Sequence, residues 1–149
     1  MRRPRSPDRF LTPEERGRIE TAIARAEGQT SAEIKVHLDR FCWGDIAAKA
    51  VRAFRRLGLH RTRQRNAVLF YLVTTNRQFS IYADEGIYRL VPPGFWDEVR
   101  DRLAAAFRQD RFADGLVEAV QETGKRLAHF FPRRADDLNE IPDEVTIGE

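Results

Sequence analysis

Two acids and a glycine, Asp84-Glu85-Gly86, follow the strand-like stretch Ser80-Ile81-Tyr82-Ala83. Other oxygen donors stand where neighbouring strands begin: Glu33 before one apolar alternation, Asn66 before another. Carboxylates and an amide oxygen meeting at a loop-lined edge are what a hard, oxygen-seeking cation such as Ca²⁺ or Mg²⁺ requires. Arg61 and Arg65 lie in the loop entering the same edge and suit a phosphate group. The competing reading makes Asp84 and Glu85 a turn cap paired with those arginines. A second candidate group, Asp39, Asp45 and Thr74 to Asn76, falls at the opposite edge, where ligands of parallel α/β sheets often sit. There Asp45 also reads as a helix N-cap, and the choice of edge stays open.

Other chemistries find little support. His37, His60 and His129 are scattered without a metalloprotease spacing, and each reads as a surface or loop histidine. Cys42 is the one cysteine, which excludes a disulfide framework and a cysteine zinc site. The run from Asp110 to Gln121 has Asp110, Asp114 and Gly115. Phe112 and Gln121 stand where a calcium loop needs oxygens. No glycine-rich phosphate loop, nucleophile elbow or covalent nucleophile is identifiable. Arg61, Arg63 and Arg65 form a solvated basic loop or a phosphate contact rather than a nucleic-acid groove. Trp43, Phe95 and Trp96 are core or rim aromatics, or an exposed pair marking a partner site.

The elements that position these residues follow from spacing. Thr12-Pro13-Glu14-Glu15 has a capping residue, a first-turn proline and a capping-box glutamate. Ile19, Ala22, Ile23 and Ala26 continue that helix until Gly28. Ala32, Ile34, Val36 and Leu38 alternate with Glu33, Lys35, His37 and Asp39, predicting a strand covered on one face. Ile46 to Leu57 reads as a helix stopped by Gly58. The apolar run Ala67 to Val73 suits a central strand buried on both faces. The short turn Thr74 to Arg77 brings Gln78 to Asp84 back antiparallel. Two helices follow, one with Trp96, Val99, Leu103, Ala106 and Phe107, the other from Phe112 to Pro132.

This order predicts an α/β three-layer sandwich, a small mixed β-sheet flanked by helices on both faces. The first two strands join by a right-handed parallel crossover. The 149 residues, 42% hydrophobic and 33% charged, fit one domain over 12–132. A flexible basic arm over 1–11 and a loose acidic tail over 133–149 complete the division. The net charge is +3, with no apolar signal region and no membrane-length run. The expectation is a reducing, cytoplasmic setting.

The blocks TSAEIKVHL, AFRRLGLHRTRQRNAVLFYLV, FSIYADEGI, GFWDEV and AAFRQDRFADGLVEAVQETGKRLAHFFP, with the closing DDLNEIPDE, resemble the TPM domain family. The match is to its small stand-alone bacterial subgroup and spans roughly residues 10–145. The resemblance implies an α/β sandwich, a divalent-cation site, usually Ca²⁺, and the phosphatase activity attributed to some members. Other members are membrane-anchored or serve assembly and repair of membrane complexes. The Asp-Asn pair of larger members is Arg65-Asn66 here, and their Gly-x-Gly turn keeps only Gly86. Small members carry Gly-Asp where this chain has Ala83-Asp84, and Asp45 matches a helix-opening Asp of both groups.

The expected ligands are therefore Asp84 first, then Glu33, Glu85, Asn66 and Asp45. In a phosphatase the cation would polarise a phosphoryl oxygen and activate water, with Arg61 and Arg65 steadying the charge of a phosphate-bearing small molecule. The alternative is a non-catalytic interaction module with a structural cation and a protein partner. No nucleic-acid partner is expected.

Overall fold

The computed structural model describes residues 3–134 and 139–148. Its centre is a mixed sheet in the order β3-β2-β1-β4. Here β1 is Glu33–Asp39, β2 Ala67–Val73, β3 Gln78–Ala83 and β4 Thr146–Ile147. β1 runs parallel to β2 and to β4, and β3 returns antiparallel to β2. The helices are α1 (Pro7–Phe10), α2 (Pro13–Glu27), α3 (Ile46–Arg56), α4 (Glu85–Tyr88), α5 (Asp97–Arg108) and α6 (Phe112–Phe130).

Local chemistry sets the boundaries. At α2, the Glu15 N–H donates to Thr12 Oγ1 at 3.1 Å, and the Thr12 N–H donates to Glu15 Oε1 at 2.9 Å. This reciprocal box satisfies two N–H groups that a helix start leaves open. At α3, Asp45 accepts from the Ala48 N–H at 3.2 Å, and the helix yields to Gly58 in the left-handed region. One sheet face buries Ile34, Val36, Leu38, Val68, Phe70 and Leu72 against α2, α5 and α6. The other presents Leu69, Tyr71 and Val73 to Ala50, Ala53 and Phe54 of α3. The sandwich predicted from the periodicity is the one observed.

Three features differ from expectation. The arm read as flexible over 1–11 is packed in its described part: Phe10 and Leu11 are buried, and Phe10 meets Phe112 edge to face at 5.0 Å. Arg3 holds Glu15 through two bonds of 2.5 and 2.6 Å. Burying two large apolar side chains, at about 1.5–3 kcal/mol each, contributes to holding the segment against its ordering entropy, together with the Arg3–Glu15 pair. The tail read as loose is also fixed where described, since residues 139–148 run alongside β1 and include the edge strand β4. Residues 135–138 and 149 of that tail lie outside the described residues.

The third difference follows from the second. β1 was expected to show Glu33, Lys35, His37 and Asp39 to solvent, yet all seven of its residues are buried. The acidic tail supplies the missing cover.

Candidate functional site

Register gathers part of the predicted acidic edge. Glu33 stands opposite Ala67, and the Asp84 N–H donates to Ala67 O at 3.0 Å. Glu33, Ala67 and Asp84 thus form one cross-strand row on the α3 face. Two strand spacings separate the outer pair, roughly 10 Å between their backbones. The Asn66 carbonyl accepts from the Glu33 N–H, while the Asn66 side-chain amide donates to Ser31 O at 3.2 Å.

Asp84 has its own counter-ion. Arg65 Nε donates to Asp84 Oδ2 at 2.7 Å and Arg65 Nη2 to Oδ1 at 3.0 Å. The Glu85 N–H adds a third bond at 2.8 Å, making Asp84 the cap of α4. Arg65 Nη1 also lies 3.2 Å from Glu85. The hydrogen bond to Asp84 is the chief reason the Arg65 guanidinium holds its proton more strongly than usual. Asp84 is 2% exposed, so its two oxygens are committed. Gly86 makes the arrangement possible: a Cβ there would come within 2.2 Å of Gln64 O and 2.5 Å of Arg65 O.

Glu33 faces a different group. Its Oε1 accepts from the Glu140 N–H at 2.7 Å, and Glu27 Oε2 accepts from the Ile34 N–H at 2.8 Å. Glu27 Oε1 and Glu33 Oε2 are buried, and among the described residues no donor is aimed at them. Burial, first, pushes the Glu27 carboxyl far above its ordinary range; Asp143 and Glu33 beside it push the same way. Burial also raises Glu33. Carboxyls this close and this dry need a proton or a cation between them. Among the described residues, no three acidic, imidazole or thiol side chains are gathered into a ready-made metal cluster.

Beyond that acidic end, each alternate residue of β1 grips the tail. Lys35 Nζ donates to Glu144 O at 2.8 Å, and burial lowers its proton affinity. His37 Nδ1 lies 2.6 Å from Thr146 Oγ1, and its Nε2 lies 3.0 Å from Asp39 Oδ1. Tyr71 donates its hydroxyl to Asp39 Oδ2 at 2.6 Å. An ionised Asp39 can only accept, so the His37 Nε2–H donates to it and Nδ1 pairs with the Thr146 hydroxyl. The Gly148 N–H closes the set on Leu38 O at 2.7 Å. A Cβ at Gly148 would overlap Asp39, so only glycine lies this flat against the carboxylate.

Two cavities flank this strap, of about 420 and 520 Å³, sharing Leu57 and Thr146 in their walls. Arg61, one of the two expected phosphate contacts, lines the first; Arg65 is at the other group with Asp84. Asp45 caps α3 at the opposite edge and joins neither acidic group. The His37–Asp39–Tyr71–Thr146 network was not anticipated as a unit. Its only signal in the sequence is the unbroken polar alternation of β1, with Tyr71 opposite His37 in register.

Among the described residues no helix is long and apolar enough to cross a membrane. No curated protein matches the chain. Among solved structures it is similar to the BA42 protein of the psychrophilic bacterium Bizionia argentinensis, determined by NMR. That pair is 38% identical over 95% of this chain and 97% of that one, with a TM-score of 0.90. It is also similar to the N-terminal domain of a protein from P. gingivalis, at 20% identity, 81% and 78% coverage and a TM-score of 0.64. The N-terminal domain of the cg2496 protein of Corynebacterium glutamicum gives 17%, 77% and 72%, and 0.61. These last two establish likeness of fold alone. The family profile described as the TPM domain matches residues 6–126, most of the chain. The chain belongs to the TPM domain family.

Proposed function

We propose that this TPM domain holds a divalent cation, Ca²⁺ or Mg²⁺, as a structural element at the acidic end of β1. In this reading it serves as a protein-interaction module. The observation that carries the proposal is the pair of buried, donorless oxygens, Glu27 Oε1 and Glu33 Oε2. Glu27 and Glu33 would hold the cation, with Asp143 brought in by the strap. Carboxylate oxygens with waters completing the shell are the donors these cations take. Asp84, the first expected ligand, keeps Arg65 as its cation in this reading, with Glu85 and Asn66 beside it. Asp45 remains a helix cap.

The strap supplies the link to stability. Glu140 and Asp143 flank the acidic pair, so a cation there fastens the same segment that Lys35 and His37 hold further along. The phosphatase alternative asks Arg61 and Arg65 to steady one phosphate. Arg65 is occupied by Asp84 and Glu85, which favours the module.

Thermal unfolding in CaCl₂ and in EDTA tests the reading, with p-nitrophenyl phosphate added in a parallel assay. At a cation concentration 100 times Kd the gain is about 2.7 kcal/mol. The gain disappears in Glu27→Gln and Glu33→Gln, and phosphate is not released. Steady phosphate release that Arg61→Ala abolishes would establish the phosphatase instead. An unchanged melting temperature in the wild type would remove the cation.

A further inference from the structure

β3 is the outermost strand on one side of the sheet. The Asp84 bond to Ala67 fixes its phase: the even-numbered residues bond β2. The N–H and C=O groups of Phe79, Ile81 and Ala83 therefore point out of the sheet, and among the described residues no backbone group bonds them. Natural edges are usually blunted by a charge, a proline, a bulge or a covering segment. Gln78–Ala83, QFSIYA, has no charge and no proline, and pairs with β2 without a break in register. The other side of the sheet, by contrast, is covered by β4.

The bare edge also opens on a built groove. A cavity of about 440 Å³ reaches from Ile46 of α3 past Phe79 to Ala104 and Phe107 of α5. Phe79 and Phe107 meet edge to face at 5.2 Å and form its apolar wall. The charged residues lining it are Arg77 and Arg108. Arg108 is exposed, and Arg77 Nε is buried with no acceptor among the described residues.

We propose that the free edge of β3 docks an extended, acidic segment of a partner protein, which adds a strand to the sheet. Main-chain bonds to Phe79, Ile81 and Ala83 supply the pairing, as in other strand-addition sites. One apolar side chain of the segment enters the pocket against Phe79 and Phe107. Its acidic residues meet Arg77 and Arg108, which sets the sign of the partner. The proposal rests on the interaction-module reading and not on its cation.

The test selects peptides from a random dodecamer phage library on the full chain, with counter-selection on Arg108→Glu. Synthesised winners are titrated into ¹⁵N-labelled protein, with and without CaCl₂. The expected peptides carry Asp or Glu beside alternating apolar residues. They slow amide exchange at Phe79, Ile81 and Ala83, and bind Arg108→Glu at least about tenfold more weakly. Selection that yields no peptide, or peptides that leave those three amides unprotected, overturns the proposal. Protection that grows with protein concentration in the absence of peptide assigns the edge to a second copy and overturns it equally. Failure of the cation reading alters only the comparison between the two CaCl₂ conditions and leaves the edge result standing.

Discussion

Thr146 and His37 meet at 2.6 Å across 109 positions of sequence. That bond is the third of four rungs of a ladder. Glu33 holds Glu140, Lys35 holds Glu144, His37 holds Thr146, and Leu38 holds Gly148. β1 therefore spends its polar face on the C-terminal strap, and the strap converts a half-wet strand into a buried one.

Thr146→Val keeps the shape and removes the hydroxyl. His37 Nδ1 is then left buried without its partner, at a cost of about 1–3 kcal/mol. Urea unfolding reads the loss, and amide exchange at residues 145–148 should quicken ahead of the core. Unchanged exchange there would mean that the other rungs hold the strap alone.

Arg65→Ala strands Asp84, which is 2% exposed, without its counter-ion. A fully buried pair broken in this way costs about 3–5 kcal/mol. The Arg65 side chain is 41% exposed, so solvent screening holds the loss well below that of a fully buried pair. Arg65→Ala with Asp84→Asn should recover part of that. A double-mutant cycle measures the coupling, and additive single effects would deny it.

Stability should fall in acid because of Asp39. Burial raises its carboxyl, but His37 and Tyr71 donate into it and hold the net value below the ordinary range. A depressed folded pKa gives stability that is present above the unfolded value, about 3.9, and is lost as pH falls through the folded one. Asp39→Asn should flatten that acid limb of a denaturation series. An unaltered limb would place the acid sensitivity elsewhere.

Gly86→Ala tests the close approach at the Asp84 turn. The added Cβ would meet two backbone oxygens, Gln64 O and Arg65 O, which have little room to yield. Overpacking of this kind costs about 1–3 kcal/mol. The expected signature is loss of the Gly86 N–H bond to Arg65 O, visible as faster exchange of that amide.

The four long helices, α2, α3, α5 and α6, and the first three strands were legible because their apolar spacing was unambiguous. Ile19 to Ala26, Ala67 to Val73 and the Thr12–Glu15 box carry their structure locally. The row joining Glu33 to Asp84 was legible too, since hairpin logic alone brings the strand ends to one edge. The Arg65–Asp84 pair was foreseen as the competing reading of the turn. The strap was not legible. Asn139 to Gly148 has no apolar period, and its hold comes from side chains of β1 more than a hundred residues away. The N-terminal segment was misread for a related reason: its arginines spoke for solvent, while burial of Phe10 and Leu11 decided the outcome.

The central claim is that the acidic end of β1, and not the Asp84 turn, takes the cation. A CaCl₂ titration of ¹⁵N-labelled protein, followed residue by residue, tests it most directly. Saturable shifts should centre on Glu27, Glu33, Ile34 and Asp143 and be absent in Glu33→Gln. Shifts centred on Asp84, Glu85 and Gly86, or none that saturate, would contradict it.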